Sequence, residues 1–460
     1  MAQGIKILNP PSLEHWSYST PPLGIAILQQ NLKRAGFDVE IDDLETKFLK
    51  LSKPLPDTIN GWLVRRNFAQ ISSYAKTALS TTRINQKDVG ISVFCKGQLF
   101  PALVISEYLT SLGKRVYLGG RLAPFLKHSA IRKKVSINNR IFETQNEFIK
   151  FLGVSEPEST NLPDFSGLPL KLYKTKIRGN RELILPYLIK EGCNKVCAFC
   201  NEFAYPKPPL SKPRKSVARE IGLGIKKLKQ IHKTRYFFFA DCAVNNDPEL
   251  LGLVAEELVD AGIEWGGFAC VPGLQPSLLR KMKRSGCRYL LLGIESGSQR
   301  ILKLMSKAQT TRMAEIVIRN VKGAGIFNHC FFMTNFPGET KEDHLLTRGF
   351  LRRNSQYMDD AFVQIFELDE GSYIIQHPRQ FGIKVSPKAS FLRREYSMGN
   401  MSYNQVLGVG KNRKLELELL IAKNVKLRRY LRHPIAAMKS LFYSRFVQHG
   451  FPLDRLFDYT

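Results

Sequence analysis

Three of the eight cysteines fall within GCNKVCAFC, residues 192–200, so that Cys193, Cys197 and Cys200 are spaced C-x3-C-x2-C. Three thiolates can hold zinc if a fourth ligand closes the site, or iron in an iron–sulfur cluster. Zinc would need Cys242 or His232 brought close by the fold, and the second C-x2-C pair that usually accompanies a structural zinc site is absent. In a cubane cluster each iron takes one outer ligand, so three cysteines leave one iron open to a substrate or cofactor. That is the arrangement of a catalyst rather than of an electron store. Cys95, Cys242, Cys270, Cys287 and Cys330 are isolated, most of them in apolar stretches, and read as buried free thiols of a reducing compartment.

The elements that must position this loop follow from hydrophobic periodicity. From about residue 183, ELILPYLIKE, RYFFFAD, IEWGGFA, YLLLGIE, FNHCFFMTN and AFVQIFEL read as strands separated by helices. Six strand–helix units predict a partial barrel of parallel strands, in which chemistry sits at the carboxyl ends of the strands. The cysteine loop comes directly after the first of them.

Residues 4–135 alternate in the same way, with GIKILNP, VEIDDL, VGISVF and RVYLGG as strands and LGIAILQQNLKRAGF and LFPALVISEYLTSLG as helices. This α/β pattern predicts a Rossmann-like parallel sheet whose ligand lies beyond the carboxyl strand ends. Asn9-Pro10-Pro11, Ser92 and Gly119-Gly120 occupy those ends; ordinary turn chemistry accounts for any one of them taken singly. SEPESTNLPDFSGLPLKLY, 155–173, has no periodicity and reads as a surface linker. The expected organisation is a Rossmann-like domain over 1–150, a linker over 151–182, a partial barrel over 183–380 and a helical cap over 381–460.

The 69 Lys and Arg against 40 Asp and Glu give a net charge of +29. Such a field attracts acidic or anionic molecules, but no recognisable nucleic-acid module accompanies it and no nucleic-acid partner is expected. No apolar run reaches the roughly eighteen residues of a membrane span, and MAQGIKILNPPSLEHW lacks the layout of a secretory signal. A cytoplasmic address is expected. The basic stretch LELELLIAKNVKLRRYLRHPIAAMKSLFYSRFVQ reads as one or two amphipathic helices broken near Pro434, suited to capping the barrel and compatible with a peripheral membrane contact.

Taken together, these motifs resemble the radical S-adenosylmethionine superfamily. Cys193, Cys197 and Cys200 match its cluster loop, and Phe199 stands at its aromatic position beside the adenine. FFFADCAVN resembles the segment near the methionine amino group, with Asp241 as the contact. LLLGIESGSQRIL resembles the family's G-I-E-S-G-S, which turns Glu295 and Ser296 toward the ribose or amino-acid part of the cofactor. NFPGET matches G-x-P-G-E-T, contributing Pro337 and Gly338, with Asn335 where glycine is usual. The resemblance implies a 4Fe-4S cluster, S-adenosylmethionine cleaved reductively to a 5'-deoxyadenosyl radical, and an electron donor such as flavodoxin or ferredoxin. The amino-terminal segments and LPDFSGLPLKLY resemble the cobalamin-binding domain and linker of one large class in that superfamily. Ser92, Gly119 and Gly120 would then contact cobalamin, although Asp-x-His-x-x-Gly is absent and the closing strand within KVSINNRIFETQNEFIKFLG is short. With cobalamin the implied reaction is methylation of an unactivated carbon. Relatives of the same build also close rings or rearrange skeletons, and a zinc-stabilised, non-catalytic binding protein is the reading from another class. The substrate class implied is a small molecule or peptide.

Overall fold

Short buried runs bounded by turn residues become parallel strands in both halves of the chain. The computed structural model describes residues 3–12, 20–51, 75–122, 140–155, 161–204, 209–210, 212–369, 371–386 and 395–426. The chain divides into two compact units, one up to Thr175 and one from Lys176.

The first unit runs β1 (Gly4–Asn9), α1 (Leu23–Arg34), β2 (Asp38–Asp43), α2 (Leu44–Leu51), β3 (Asp88–Ser92), α3 (Leu99–Ser111), β4 (Arg115–Gly119), β5 (Arg140–Ile141) and α4 (Gln145–Phe151). The five strands pair in parallel in the order β2-β1-β3-β4-β5. Strand order reverses between β1 and β3, which opens a crevice beyond their carboxyl ends. Asn9 and Ser92 end those two strands, and the closing strand β5 is two residues long. α1 buries Ile25, Ala26, Ile27 and Leu32. α2 follows β2 without a loop, a helix that periodicity did not predict.

The segment expected to cross the surface is instead fastened to this unit. Phe165 and Tyr173 are buried, and the Tyr173 hydroxyl donates to Asp43. Lys33 Nζ lies 2.8 Å from Asp164 Oδ2, and Gln29 Nε2 donates to the Ser166 carbonyl at 2.8 Å. Burial pushes the Asp164 carboxyl up, but hydrogen bonds from Lys33 and Ser166 prevail and hold it down at about 2. Two large aromatic side chains in a polar, Pro-rich stretch are the reason: each gains more from burial than the loop loses in freedom.

A two-stranded sheet of β6 (Thr175–Ile177) and β7 (Asn180–Glu182) lies at the boundary with the second unit. The main sheet follows: β8 (Ile184–Tyr187), α5 (Arg214–His232), β9 (Tyr236–Phe239), α6 (Pro248–Glu257), β10 (Glu264–Ala269), α7 (Pro276–Arg284), β11 (Cys287–Glu295), α8 (Gln299–Leu304), α9 (Thr311–Gly323), β12 (Phe327–Thr334), α10 (Lys341–Asn354) and β13 (Asp360–Ile365). All six strands from β8 to β13 pair in parallel with their sequence neighbours. Helix starts are set locally. Asp247 caps α6 with Pro248 at its first position, Thr310 caps α9, and Thr340 with Asp343 forms a capping box at α10.

After β13 the chain forms α11 (Tyr373–Gln376), an antiparallel hairpin of β14 (Ile383–Val385) and β15 (Tyr396–Met398), and α12 (Tyr403–Ile421). The carboxyl-terminal region is thus a hairpin and a helix that starts at Tyr403, earlier than its apolar pattern suggested. Phe336, Phe366, Tyr396 and Val406 join in one core cluster that places α12 against the main sheet. The break near Pro434 and the basic residues after 426 lie outside the described residues.

Candidate active site

The cysteine loop leaves β8 and is held from four sides. Asp241, just past β9, accepts the N–H groups of Ile189 at 3.0 Å and Lys190 at 2.8 Å. Asn246 accepts from Asn194 N at 3.0 Å, receives Asn194 Nδ2 on its carbonyl at 2.9 Å, and donates to the Gly192 carbonyl at 3.2 Å. Gly192 has φ +77, a conformation that side-chain-bearing residues rarely adopt. The Ala198 N–H reaches the Met305 carbonyl at 2.9 Å and the Ala198 carbonyl receives Ile374 N at 3.0 Å, while Cys200 N closes a turn on the Cys197 carbonyl. The three thiols are partly exposed. Burial pushes the Cys197 thiol up to about 11, with Lys307 opposing, so loading a metal must release its proton. Among the described residues no three His, Cys, Asp or Glu side chains converge on one ion.

Next to the loop, the carboxyl ends of β11 and β12 each carry a non-glycine residue in the left-handed region: Glu295 at φ +65 and Asn335 at φ +62. The register between β11 and β12 shifts between Gly293 and Glu295. The Glu295 carboxylate pairs with Lys307 at 3.2 Å, both side chains being about nine-tenths buried. Burial opposes the Lys307 charge, but Glu295 and Cys197 hold its ammonium above the usual lysine value. The same ammonium stands 6.0 Å from the centre of the Phe199 ring. Gln309 donates to the Ile294 carbonyl at 2.9 Å, and its own Oε1 is buried without a partner. Asn335 donates through Nδ2 to the Val406 carbonyl of α12 at 2.9 Å, and its Oδ1 is likewise buried without a partner. Among the described residues, one orphaned acceptor thus sits past the end of β12 and another in the loop before α9, against the end of β11, and each could take a hydrogen bond from a polar ligand.

Other expected contacts have different partners. Ser296 is fully buried; its hydroxyl meets Thr347 Oγ1 at 3.1 Å and accepts the Ser298 N–H at 3.1 Å, which commits it to packing β11 on α10. Asp241 spends two acceptor positions on the loop, and burial pushes its carboxyl up to about 7 against those two donors. Its own backbone N–H is a third donor to the carboxylate, which leaves little acceptor capacity for a ligand. Pro337 is buried, and the Gly338 carbonyl, in a residue with φ +86, accepts Arg300 Nη2 at 2.6 Å. Glu339 receives the Asn335 N–H and pairs with Arg413 of α12 at 2.9 Å. Burial pushes its carboxyl up, with Arg413 opposing.

In the first unit, Gly120 has φ +95, and a Cβ there would fall 2.7 Å from the Val93 carbonyl and 3.1 Å from Ser92 Oγ. This glycine serves the close approach of β4 and β3. At Gly119 the nearest described atom to such a Cβ is the Phe142 carbonyl oxygen, at 3.9 Å. Periodicity and motif reading missed Lys307, Gln309, Asn246 and Arg413, and, although Asn9 was marked as a strand end, that its Nδ2 and the Tyr173 hydroxyl both donate to Asp43. Lys307 carried a faint signal, as a charge between the buried ends of α8 and α9.

Residues 187–351, which include the cysteine loop, match the sequence model of the Radical SAM superfamily, and the chain carries a domain of that description. It is similar to the ribosomal protein uS12 methylthiotransferase RimO of Flavobacterium johnsoniae, 26% identical over 273 residues, covering 54% of this chain and 62% of that protein. Its fold is similar to that of the cobalamin-dependent S-adenosylmethionine radical enzyme OxsB with aqua-cobalamin and S-adenosylmethionine bound (TM-score 0.65, 14% identity, 89% of this chain and 66% of that one). It is also similar to the radical S-adenosylmethionine methyltransferase TsrM from Kitasatospora setae with cobalamin and a [4Fe-4S] cluster bound (TM-score 0.57, 14% identity, 84% and 81%). The chain spans less than two thirds of the length of the curated relatives it matches.

Proposed function

We propose that this protein is a radical S-adenosylmethionine enzyme that methylates an unactivated carbon with the help of cobalamin. The observation that carries the reading is the rigidly held Cys193–Cys197–Cys200 loop beside the Glu295–Lys307 pair and the two orphaned amide oxygens. The three cysteines would hold a 4Fe-4S cluster, leaving one iron for the amino-acid end of S-adenosylmethionine. Gln309 and Asn335 offer acceptors to hydroxyl or amino groups, Glu295 a buried carboxylate, Lys307 a fixed cation and Phe199 an aromatic face; Asp241, which holds the loop, is the residue proposed beside the methionine amino group. The bound pair of cofactors would supply a 5'-deoxyadenosyl radical for hydrogen abstraction, while the protein places the groups and excludes water. In the first unit Ser92, Gly119 and Gly120 are the residues proposed to hold cobalamin, the methyl carrier. The domain limits proposed are 1–150, 183–380 and 381–460, with 151–182 between the first two. A small molecule or peptide of acidic character suits the +29 charge.

Anaerobic incubation with reductant, hydroxocobalamin, and S-adenosylmethionine labelled in its methyl group tests this. Formation of 5'-deoxyadenosine with cobalamin retained supports it; 5'-deoxyadenosine without retained cobalamin leaves ring closure or rearrangement and ends the methylation reading. The similarity to a methylthiotransferase favours a second reading, which a product carrying sulfur along with the labelled methyl would establish. Zinc without iron in protein kept anaerobic would sink the whole class in favour of a binding protein.

A further inference from the structure

We propose that the inner face of the main sheet receives a planar aromatic, uncharged part of the substrate; this rests on the radical-enzyme reading above. Side chains alternate between the two faces of a strand. One face of this sheet is packed against helices: Phe332 meets Phe350 of α10 with ring centres 6.1 Å apart, and Trp265 Nε1 donates to the Ser285 carbonyl after α7 at 3.1 Å. On the other face the register sets Phe268, Leu291, His329 and Asp360 side by side and, one step nearer the carboxyl ends, Gly293, Phe331 and Phe362. Phe268 belongs to a strand with neighbours on both sides, yet it is 37% exposed. Met333 and Gln364, paired one step further on, are half-buried and exposed respectively. Apolar surface left open in the middle of a sheet forgoes the gain of burial, and it is the kind of surface that lines ligand sites.

The rings make a continuous run. Their centres lie 5.8 Å apart from Phe238 to Phe268, 6.1 Å from Phe268 to Phe331 and 6.2 Å from Phe331 to Phe362, at interplanar angles of 80°, 31° and 84°. Rings set at such mixed angles suit a further ring packed on them edge to face or offset, the arrangements aromatic pairs prefer. The run leads to the Glu295–Lys307 pair: a Cβ on Gly293, the strand neighbour of Phe331, would fall 2.7 Å from Glu295 Oε1 and 3.2 Å from Lys307 Nζ. A body lying on the rings therefore ends beside that pair. Charges along the run are matched. His329 Nδ1 meets Asp360 Oδ2 at 3.0 Å, and Lys414, 5.4 Å from the centre of the Phe362 ring, pairs with Glu418 at 3.6 Å. An unmatched charge set against the rings would pay its full desolvation. The acidic character that the net charge favours thus belongs to another part of the substrate.

The probes are 2-naphthol, its saturated match decahydro-2-naphthol, and 4-hydroxybenzophenone as a photolabel. Titration calorimetry on the reconstituted chain compares wild type, Phe268→Leu, Phe331→Leu and Phe332→Leu, the last on the helix-packed face. Leucine keeps apolar bulk without a ring. Phe268→Leu and Phe331→Leu are each expected to weaken 2-naphthol about three- to tenfold, the range one aromatic pair supplies, and the saturated match less than about twofold. Phe332→Leu, on the far side of the sheet, changes either affinity less than about twofold. Photolabelling of the wild type marks peptides of β10, β12 and β13, a readout that holds even where a variant folds poorly. A 2-naphthol affinity that neither ring variant changes would overturn the proposal, as would labels confined to other elements. Equal wild-type affinity for 2-naphthol and its saturated match would also overturn it, giving the face to an aliphatic chain. The reading beneath it fails separately: a reduced chain that binds 2-naphthol on these rings but cleaves no S-adenosylmethionine keeps the aromatic site and ends the radical-enzyme reading, whereas one that cleaves S-adenosylmethionine and binds no 2-naphthol ends the aromatic site alone.

Discussion

Glu295 ends its strand in a backbone conformation that costs a non-glycine residue about 1–3 kcal/mol, and its carboxylate is buried against a single ammonium group. Such strain persists only where the surroundings impose it. Lys307→Met should destabilise the cluster-free chain by about 3–5 kcal/mol, because it strands a buried carboxylate. Glu295→Gln combined with Lys307→Met should recover part of that loss, and denaturant titration of the three variants measures the coupling. Asp241 gives a pH signature. Its carboxyl titrates near 3.8 when unfolded and at about 7 when buried in the fold, so between those values the folded state binds the extra proton and stability falls as pH rises. Asp241→Asn should flatten that slope by at most about 1.4 kcal/mol per pH unit. It should also cost about 1–3 kcal/mol by setting an amide N–H against the loop donors. Unfolding curves between pH 4 and 7 check both. Neither pairing was legible in the sequence: GIESGS marked Glu295, but nothing in KLMSKAQTT shows that Lys307 turns inward.

At the level of elements, α12 is coupled to the NFPGET turn. Asn335 stands where glycine is usual in that motif, and its φ of +62 is one that asparagine tolerates better than most residues. The side chain it adds reaches the first turn of α12. Gly410 lies directly opposite: a Cβ there would fall 2.9 Å from Ile365 Cγ2 and 3.0 Å from Asn335 Nδ2. A bare helix position and a side chain on the turn fill one space between them. Asn335→Gly should keep the turn but lose about 1 kcal/mol and raise amide exchange in α12; hydrogen–deuterium exchange by mass spectrometry reads it. Gly410→Ala should force the two elements apart and give the larger exchange increase. The strands, the helices of the main sheet and the cysteine loop were legible because their periodicity and caps are local. α2 and the start of α12 were not. α2 follows its strand without a break, and the first turns of α12 carry two glycines and owe their order to contacts with β13 and the Phe336 cluster.

At the scale of the whole molecule, two parallel α/β units are written in sequence as two runs of strand–helix alternation. Their division, between Thr175 and Lys176, lies within the stretch 151–182 that composition marks as a linker, near its carboxyl end because Phe165 and Tyr173 bind the polar stretch to the first unit. Among the described residues no helix is long and apolar enough to cross a membrane. The basic surplus belongs to this scale too. Binding of an acidic substrate should weaken with ionic strength over the roughly 10 Å screening length of 0.1 M salt. The central claim is tested most directly by anaerobic reconstitution with iron and sulfide, followed by reductant and S-adenosylmethionine, quantifying iron, 5'-deoxyadenosine and methionine in wild type and Cys197→Ala. The account predicts about four irons per wild-type chain, 5'-deoxyadenosine and methionine in equal amounts, and loss of both products in the variant. A reduced cluster that leaves S-adenosylmethionine intact, or a Cys197→Ala chain that still cleaves it, would contradict it.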